Sequence, residues 1–131
     1  NLPDSEVALI TQSEKPHIVK LHEQVKEATP HLNETEQARL TAAAGVEVQK
    51  RGFNAANLGD LECYECKGRQ LLNMEDLGKQ ARNPYTSSAT VDIAQAVQTP
   101  VQESLTQMHN VQLAQTQAQE QNQQQGRGIS L

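Results

Sequence analysis

The sequence predicts a small α+β domain, in which two or three helices pack with a β-hairpin, followed by a disordered glutamine-rich tail. Two hydrophobic patterns support the domain: helical spacing of apolar residues before residue 52, and a short alternating segment around residues 61–74. The tail is indicated by a sharp change in composition near Met108. We therefore expect an α+β recognition domain at residues 1–108 and a disordered tail at residues 109–131.

The composition limits both the core and the classes of partner. The chain has 131 residues, 36% of them hydrophobic and 2% aromatic, which predicts a single domain with a small aliphatic core. The formal net charge of -5 argues against nucleic acid as a partner, because phosphate binding depends on clustered Lys and Arg. No apolar stretch approaches the ~20 residues that cross a bilayer, so we expect no membrane partner either.

The first helical region covers residues 4–28, and we expect it to be interrupted between Ser13 and Pro16 and to end before Pro30. The apolar residues and the histidine whose spacings suit one face of a helix are Leu9, Ile18, Leu21, His22 and Val25.

A second helix is predicted to begin at Asn33, which forms a capping box with Glu36 three residues later. Gly52 supplies a C-terminal stop, where the backbone must adopt a positive φ. The apolar stripe of this helix is Leu40, Ala44 and Val48.

Strand spacing replaces helical spacing after Leu58, with Lys67-Gly68 as the turn of the hairpin and residues 70–74 as its second strand. After a loop marked by Gly78, the sequence predicts one long helix from Val91 to Met108. Pro100 should either kink this helix or lie near its start after a break.

Few residues suggest chemistry. Cys63 and Cys66 form a C-x-x-C pair, the spacing of half a zinc site or of a redox motif, but the sequence offers no second pair of ligands. His17 and His22 are five residues apart, which does not match the i, i+4 spacing of a helical metal pair, and His31 follows the first helical region. With no G-x-S-x-G and no phosphate-binding loop, we expect no enzyme, no cofactor and no metal.

Residues 92–105, DIAQAVQTPVQESL, follow Asn83-Pro84, Ala89 and Val91 in an order that resembles a known family. The family is XVIPCD, the C-terminal domain of antibacterial type IV secretion effectors of Xanthomonas and its relatives, with a D-P-x-H-x-R-A-x-V motif and an A-Q-A…P-V-x-x-S-L helix. Asn83, Thr86 and Ser88 replace the Asp, His and Arg of that motif. Residues 52–58 and 70–75 occupy the places of G-L-x-R-I-D-H-V and R-L-F-A-V-Q, and a glutamine-rich tail is a family trait.

The resemblance implies a secretion signal that acts as a monomer. The cytoplasmic domain of the coupling ATPase of the secretion system would bind it in the bacterial cytoplasm and export an N-terminally attached toxin into a target bacterial cell. The residues predicted to bind this partner are Phe53, Asn57, Leu71, Leu72, Asn83, Pro84, Tyr85 and Val91. At least one of the two leucines is expected to be a core residue.

Two other functions stay open at this point. One is a structural or adaptor protein, such as a virion component or a chaperone-like partner, whose helices form an oligomer. The other is a small metal or redox protein that uses Cys63 and Cys66.

Overall fold

A computed structural model describes residues 2–13, 16–82 and 87–129 of the chain. In chain order the elements are α1 (Leu2–Thr11), α2 (Pro16–Ala28), α3 (Glu34–Arg51), a 3₁₀ turn (Ala55–Asn57), β1 (Glu62–Cys66), β2 (Arg69–Glu75), α4 (Leu77–Arg82), β3 (Ser88–Asp92), α5 (Ile93–Ala96) and α6 (Val101–Ile129). Helices pack with an antiparallel sheet, so the predicted α+β fold class is confirmed.

Helix α3 lies at the centre of the domain, between the other helices and the sheet. Its capping box is present as predicted: the side chain of Asn33 accepts from the backbone N–H of Glu36, and the Glu36 side chain accepts from the backbone N–H of Asn33. Gly52 ends the helix with a φ of 66°, a left-handed conformation that glycine adopts without strain. Both ends of α3 are therefore specified by local sequence.

Two hydrophobic clusters bury opposite faces of α3. The larger one joins α2 and α3 to the inner face of the sheet and to α5 through residues that include Leu21, Val25, Leu40, Val48, Phe53, Leu72, Met74, Val91 and Ile93. The smaller one joins α1, α2 and α6 to α3 through Ile10, Ile18, Ala38, Ala42, Val46, Val101 and Met108. Within the described residues, Phe53 is the one aromatic side chain of a core that is otherwise mostly aliphatic, as the composition predicted.

The sheet has three strands in the order β1-β2-β3. The predicted hairpin is confirmed: β1 pairs with β2 across the turn formed by Lys67 and Gly68. Both turn residues have positive φ, 53° and 79°, which defines a type I′ turn and fixes the register. Cys63 therefore lies opposite Leu72, and Tyr64 lies opposite Leu71.

The predicted long helix from Val91 to Met108 is wrong in its first half. Val91 belongs to β3, which pairs antiparallel with β2, and Asp92 then caps α5 by accepting from the backbone N–H of Gln95. Helix α6 begins after Pro100, at the break that the sequence offered as one alternative. The spacing of Val91, Ala94 and Val97 imitates a helix, whereas pairing with β2 decides the structure.

Helix α6 runs along α3 and continues to Ile129. The side-chain amide of Gln49 donates a hydrogen bond of 2.8 Å to the side-chain oxygen of Gln115. The side-chain amide of Gln115 in turn donates to the backbone carbonyl of Gln49 at 2.9 Å. These bonds lie beyond the predicted boundary at Met108, so α6 packs on the domain at least as far as Gln115. The disordered tail of residues 109–131 stays a prediction.

A polar cluster joins α1 to α3 and to the start of α6. Arg39 on α3 donates two hydrogen bonds of 2.9 Å to the carboxylate of Glu6 on α1, and a third of 2.9 Å to the carbonyl of Val97. The same carboxylate accepts from the backbone N–H of Val101 at 3.0 Å. Glu6 therefore caps the first turn of α6 from a separate helix.

Candidate recognition surface

The outer face of the sheet is open to solvent, while its inner face forms part of the core. Side chains alternate along each strand, so Leu72 and Met74 point inward and are fully buried, and Leu71 points outward and is half-buried. Tyr64 lies opposite Leu71 and is 42% exposed. Around this pair lie the polar outward residues Glu62, Arg69, Asn73, Ser88, Thr90 and Asp92.

The loop of residues 53–59 lies at one end of this face and is held in place by bonds from two elements. Lys20 and Gln24 on α2 donate to the carbonyls of Ala56 and Gly59 at 3.2 and 3.3 Å. The backbone N–H of Gly59 donates to the backbone carbonyl of Glu75 at 3.0 Å, and this bond joins the loop to the end of β2. The loop is therefore fixed beside the sheet, with Asn57 exposed.

Asp76 organises the same corner of the domain. Its side chain is buried and accepts from the backbone N–H of Asn54 at 2.8 Å, and its own N–H donates to the carbonyl of Ser87 at 2.8 Å. Asp76 thus joins the loop through its carboxylate, and joins the end of β2 to the start of β3 through its backbone N–H. Sequence analysis missed Asp76, because its partners lie 22 and 11 positions away and no local pattern marks them.

The eight residues predicted to bind a partner fall into three groups. Asn57 and Leu71 are accessible on the surface just described. Phe53, Leu72 and Val91 are core residues, at most 7% exposed, so they support the surface from beneath and their contact with a partner stays a prediction. Asn83, Pro84 and Tyr85 lie outside the described residues.

Two accessible apolar residues were not predicted. Tyr64 lies beside Leu71, and Leu77 at the start of α4 is 51% exposed and contacts Gly59. Their signal in the sequence was weak, because each is a single apolar residue among polar neighbours. Tyr64 and Leu71 provide accessible apolar area on the outer face, whereas Leu77 lies beyond the end of β2, next to the loop.

The cysteine pair lies in β1, not at a helix N-terminus. Cys63 is partly buried against the core and Cys66 is exposed; three positions apart on a strand, they point to opposite faces of the sheet. Within residues 2–13, 16–82 and 87–129, no group of three His, Cys, Asp or Glu side chains is arranged to hold a metal ion.

The histidines are separated as well. His17 and His31 are exposed, whereas His22 is buried on α2. Burial lowers the pKa of His22 below its ordinary value of 6.5, and the positive charge of Lys26 lowers it further, against smaller opposing effects of Glu23 and Glu34. We therefore assign His22 a packing role as a neutral side chain.

Comparison with known proteins adds no relative: no family model, no curated protein and no solved structure matches the chain. In the described part of the chain, none of the helices is both long and apolar enough to cross a membrane. The described geometry defines an α+β domain with an open sheet face and a firmly held loop beside it.

Proposed function

We propose that this domain is the secretion signal of a type IV secretion effector. The coupling ATPase binds it in the bacterial cytoplasm and thereby recruits an N-terminally attached antibacterial toxin, which is exported into a target bacterial cell. The domain acts as a monomer and carries out recognition, with no catalytic step of its own.

The proposal is carried by the structural role of the segment that resembles XVIPCD. Within residues 92–105, Asp92 caps α5, Pro100 precedes α6, and Ala96, Val101 and Ser104 are buried. Among the positions that match the family pattern, Pro100 thus precedes the start of a helix, and Ala96, Val101 and Ser104 fill the core. Resemblance at residues that shape the fold supports a shared fold more strongly than resemblance at surface residues would.

The open sheet face supports recognition as the activity. Tyr64 and Leu71 form an accessible apolar centre, and polar residues such as Arg69 and Thr90 surround it. An apolar centre with a polar rim is the usual anatomy of a protein interface, and aromatic residues carry much of the binding energy there. We therefore place the binding surface on this face and on the adjacent loop with Asn57.

The test is calorimetric titration of the chain with the cytoplasmic part of the coupling ATPase from the same cell. We expect binding in the micromolar range or tighter, and a loss of at least tenfold in affinity in a Tyr64→Ala, Leu71→Ala variant. Leu113→Ala is the matched control, because Leu113 is similarly exposed but lies on α6. Absence of binding by the unaltered chain would reject the proposal.

Helix α6 gives the adaptor alternative one supporting observation. Leu113 is 46% exposed on α6, a position from which it could pack against a second copy. Sedimentation equilibrium separates the two functions: a stable oligomer that Leu113→Ala dissociates would favour the adaptor, whereas a monomer at all concentrations favours the secretion signal.

A further inference from the structure

Strand β1 forms an open edge of the sheet. The sheet has the order β1-β2-β3, and its other edge strand, β3, packs beside α3. Among the described elements, β2 alone makes extensive contacts with β1. Four of the five residues of β1 are exposed, and Cys63 is the exception. An uncovered edge presents backbone donors and acceptors to any extended chain that approaches it.

The turn determines which backbone groups face outward. A type I′ turn at Lys67 and Gly68 makes Cys66 and Arg69 the hydrogen-bonded pair that closes the hairpin. Along an antiparallel strand the bonding direction alternates. Cys63 and Glu65 therefore direct their backbone N–H and C=O groups away from β2.

The edge carries more negative than positive charge, with Lys67 of the turn as its one cation in the described part of the chain. Asp60, Glu62 and Glu65 are exposed, and none of them belongs to an ion pair within the described residues. Two copies of β1 paired edge to edge would bring these carboxylates together, which disfavours self-association. A chain rich in Lys or Arg gains Coulomb attraction at the same place.

We propose that the free edge of β1 accepts an extended basic segment of the partner protein as an added strand. The backbone of Cys63 and Glu65 supplies the hydrogen bonds, the acidic residues select a basic segment, and Tyr64 contacts a side chain of the added strand on the outer face. This inference rests on the proposed function, because it states how the partner engages the same face of the sheet.

The first experiment uses two synthetic peptides, each six residues long and blocked at both ends. One alternates Lys and Val, and the other alternates Glu and Val as a control of equal length and strand propensity. Amide exchange is followed by nuclear magnetic resonance in the full chain. We expect the Lys peptide to slow exchange at Cys63 and Glu65 at least tenfold and the Glu peptide to have no effect.

Glu65→Pro removes the outward N–H at a position where no bond to β2 is lost, and Glu65→Thr removes the same charge while keeping the N–H. The Pro variant should abolish protection of Cys63 by the Lys peptide, and the Thr variant should retain most of it. If the Pro variant unfolds, a Glu62→Lys, Glu65→Lys variant replaces it and should prefer the Glu peptide. Slower exchange only at amides outside β1, or equal slowing of Cys63 and Glu65 by both peptides, would overturn the inference.

The coupling ATPase fragment separates this inference from the proposed function. If the fragment binds the chain and Glu65→Pro weakens binding at least tenfold more than Glu65→Thr, both hold. If it binds both variants equally, the edge inference fails and the function stands. If it does not bind the unaltered chain while the Lys peptide protects β1, the function fails and the edge site stands.

Discussion

The cluster of Glu6, Arg39 and the start of α6 gives the sharpest prediction on stability. Glu6→Gln keeps the shape of the side chain but removes its charge, so the paired bonds to Arg39 weaken while the amide oxygen can still accept from Val101. Hydrogen bonds to charged groups contribute about 1.5–3 kcal/mol when buried, and less when water competes. The two side chains are 17% and 27% exposed, so we expect a loss of about 1–2 kcal/mol.

Urea unfolding measures this loss as a lower midpoint at an unchanged slope. The matched control is Glu47→Gln, which removes an exposed pair with Arg51 one helical turn away and should cost at most about 0.5 kcal/mol. A double-mutant cycle with Arg39→Gln should give a coupling energy of at least about 0.5 kcal/mol. A cycle without coupling, or equal losses in Glu6→Gln and the control, would refute the reasoning.

The same cluster has a defined pH dependence. The hydrogen bond from Arg39 lowers the pKa of Glu6 below its ordinary value of 4.5, the bond from Val101 lowers it further, and burial opposes both. Because the pKa is lower in the folded state, the stabilisation is fully present above pH 4.5 and is lost as pH falls through the folded pKa. The difference in stability between the unaltered chain and Glu6→Gln should therefore shrink in acid.

Three further predictions concern other parts of the fold. Because the pKa of His22 is lower in the folded state, stability should fall as pH drops below 6.5, and His22→Gln should make the urea midpoint less sensitive to pH between 7.5 and 5; an unchanged pH profile would contradict this. Truncation after Met108 removes the Gln115 contacts and should lower the free energy of unfolding by about 1–2 kcal/mol, whereas truncation after Thr116 should leave the urea midpoint unchanged. Gly68→Ala should cost about 1 kcal/mol by urea unfolding, because φ is 79° and nothing lies within 4 Å of an added Cβ, so strain is the one penalty; a neutral result would argue against a type I′ turn.

The elements that sequence analysis predicted correctly are those with local signals at both ends. Asn33 and Gly52 bracket α3, and Lys67 with Gly68 defines the hairpin. Strand β3 was missed because five residues, SATVD, carry two inward apolar side chains and no turn signal of their own. Its structure depends on pairing with β2, which the spacing of nearby apolar residues conceals.

The candidate surface was predictable in part. Leu71 and Leu72 were both named, and the turn could have separated them: a two-residue loop at 67–68 places Leu72 opposite Cys63, on the side of the sheet that Leu61 helps to bury. The polar contacts of Glu6 and Asp76 could not be predicted, because their partners lie 11 to 95 positions away in sequence. Such contacts depend on the packed arrangement of whole elements.

Under the proposed function, the inner face of the sheet stabilises the fold and the outer face binds the partner. Leu72 and Met74 on the inner face are fully buried, so truncating them to Ala would cost about 2–5 kcal/mol. Tyr64 and Leu71 on the outer face touch less of the core, so changes there should alter binding with little effect on folding. Because neighbouring residues on β2 differ in burial, a loss of binding without a loss of stability in such a variant can be assigned to the outer face itself.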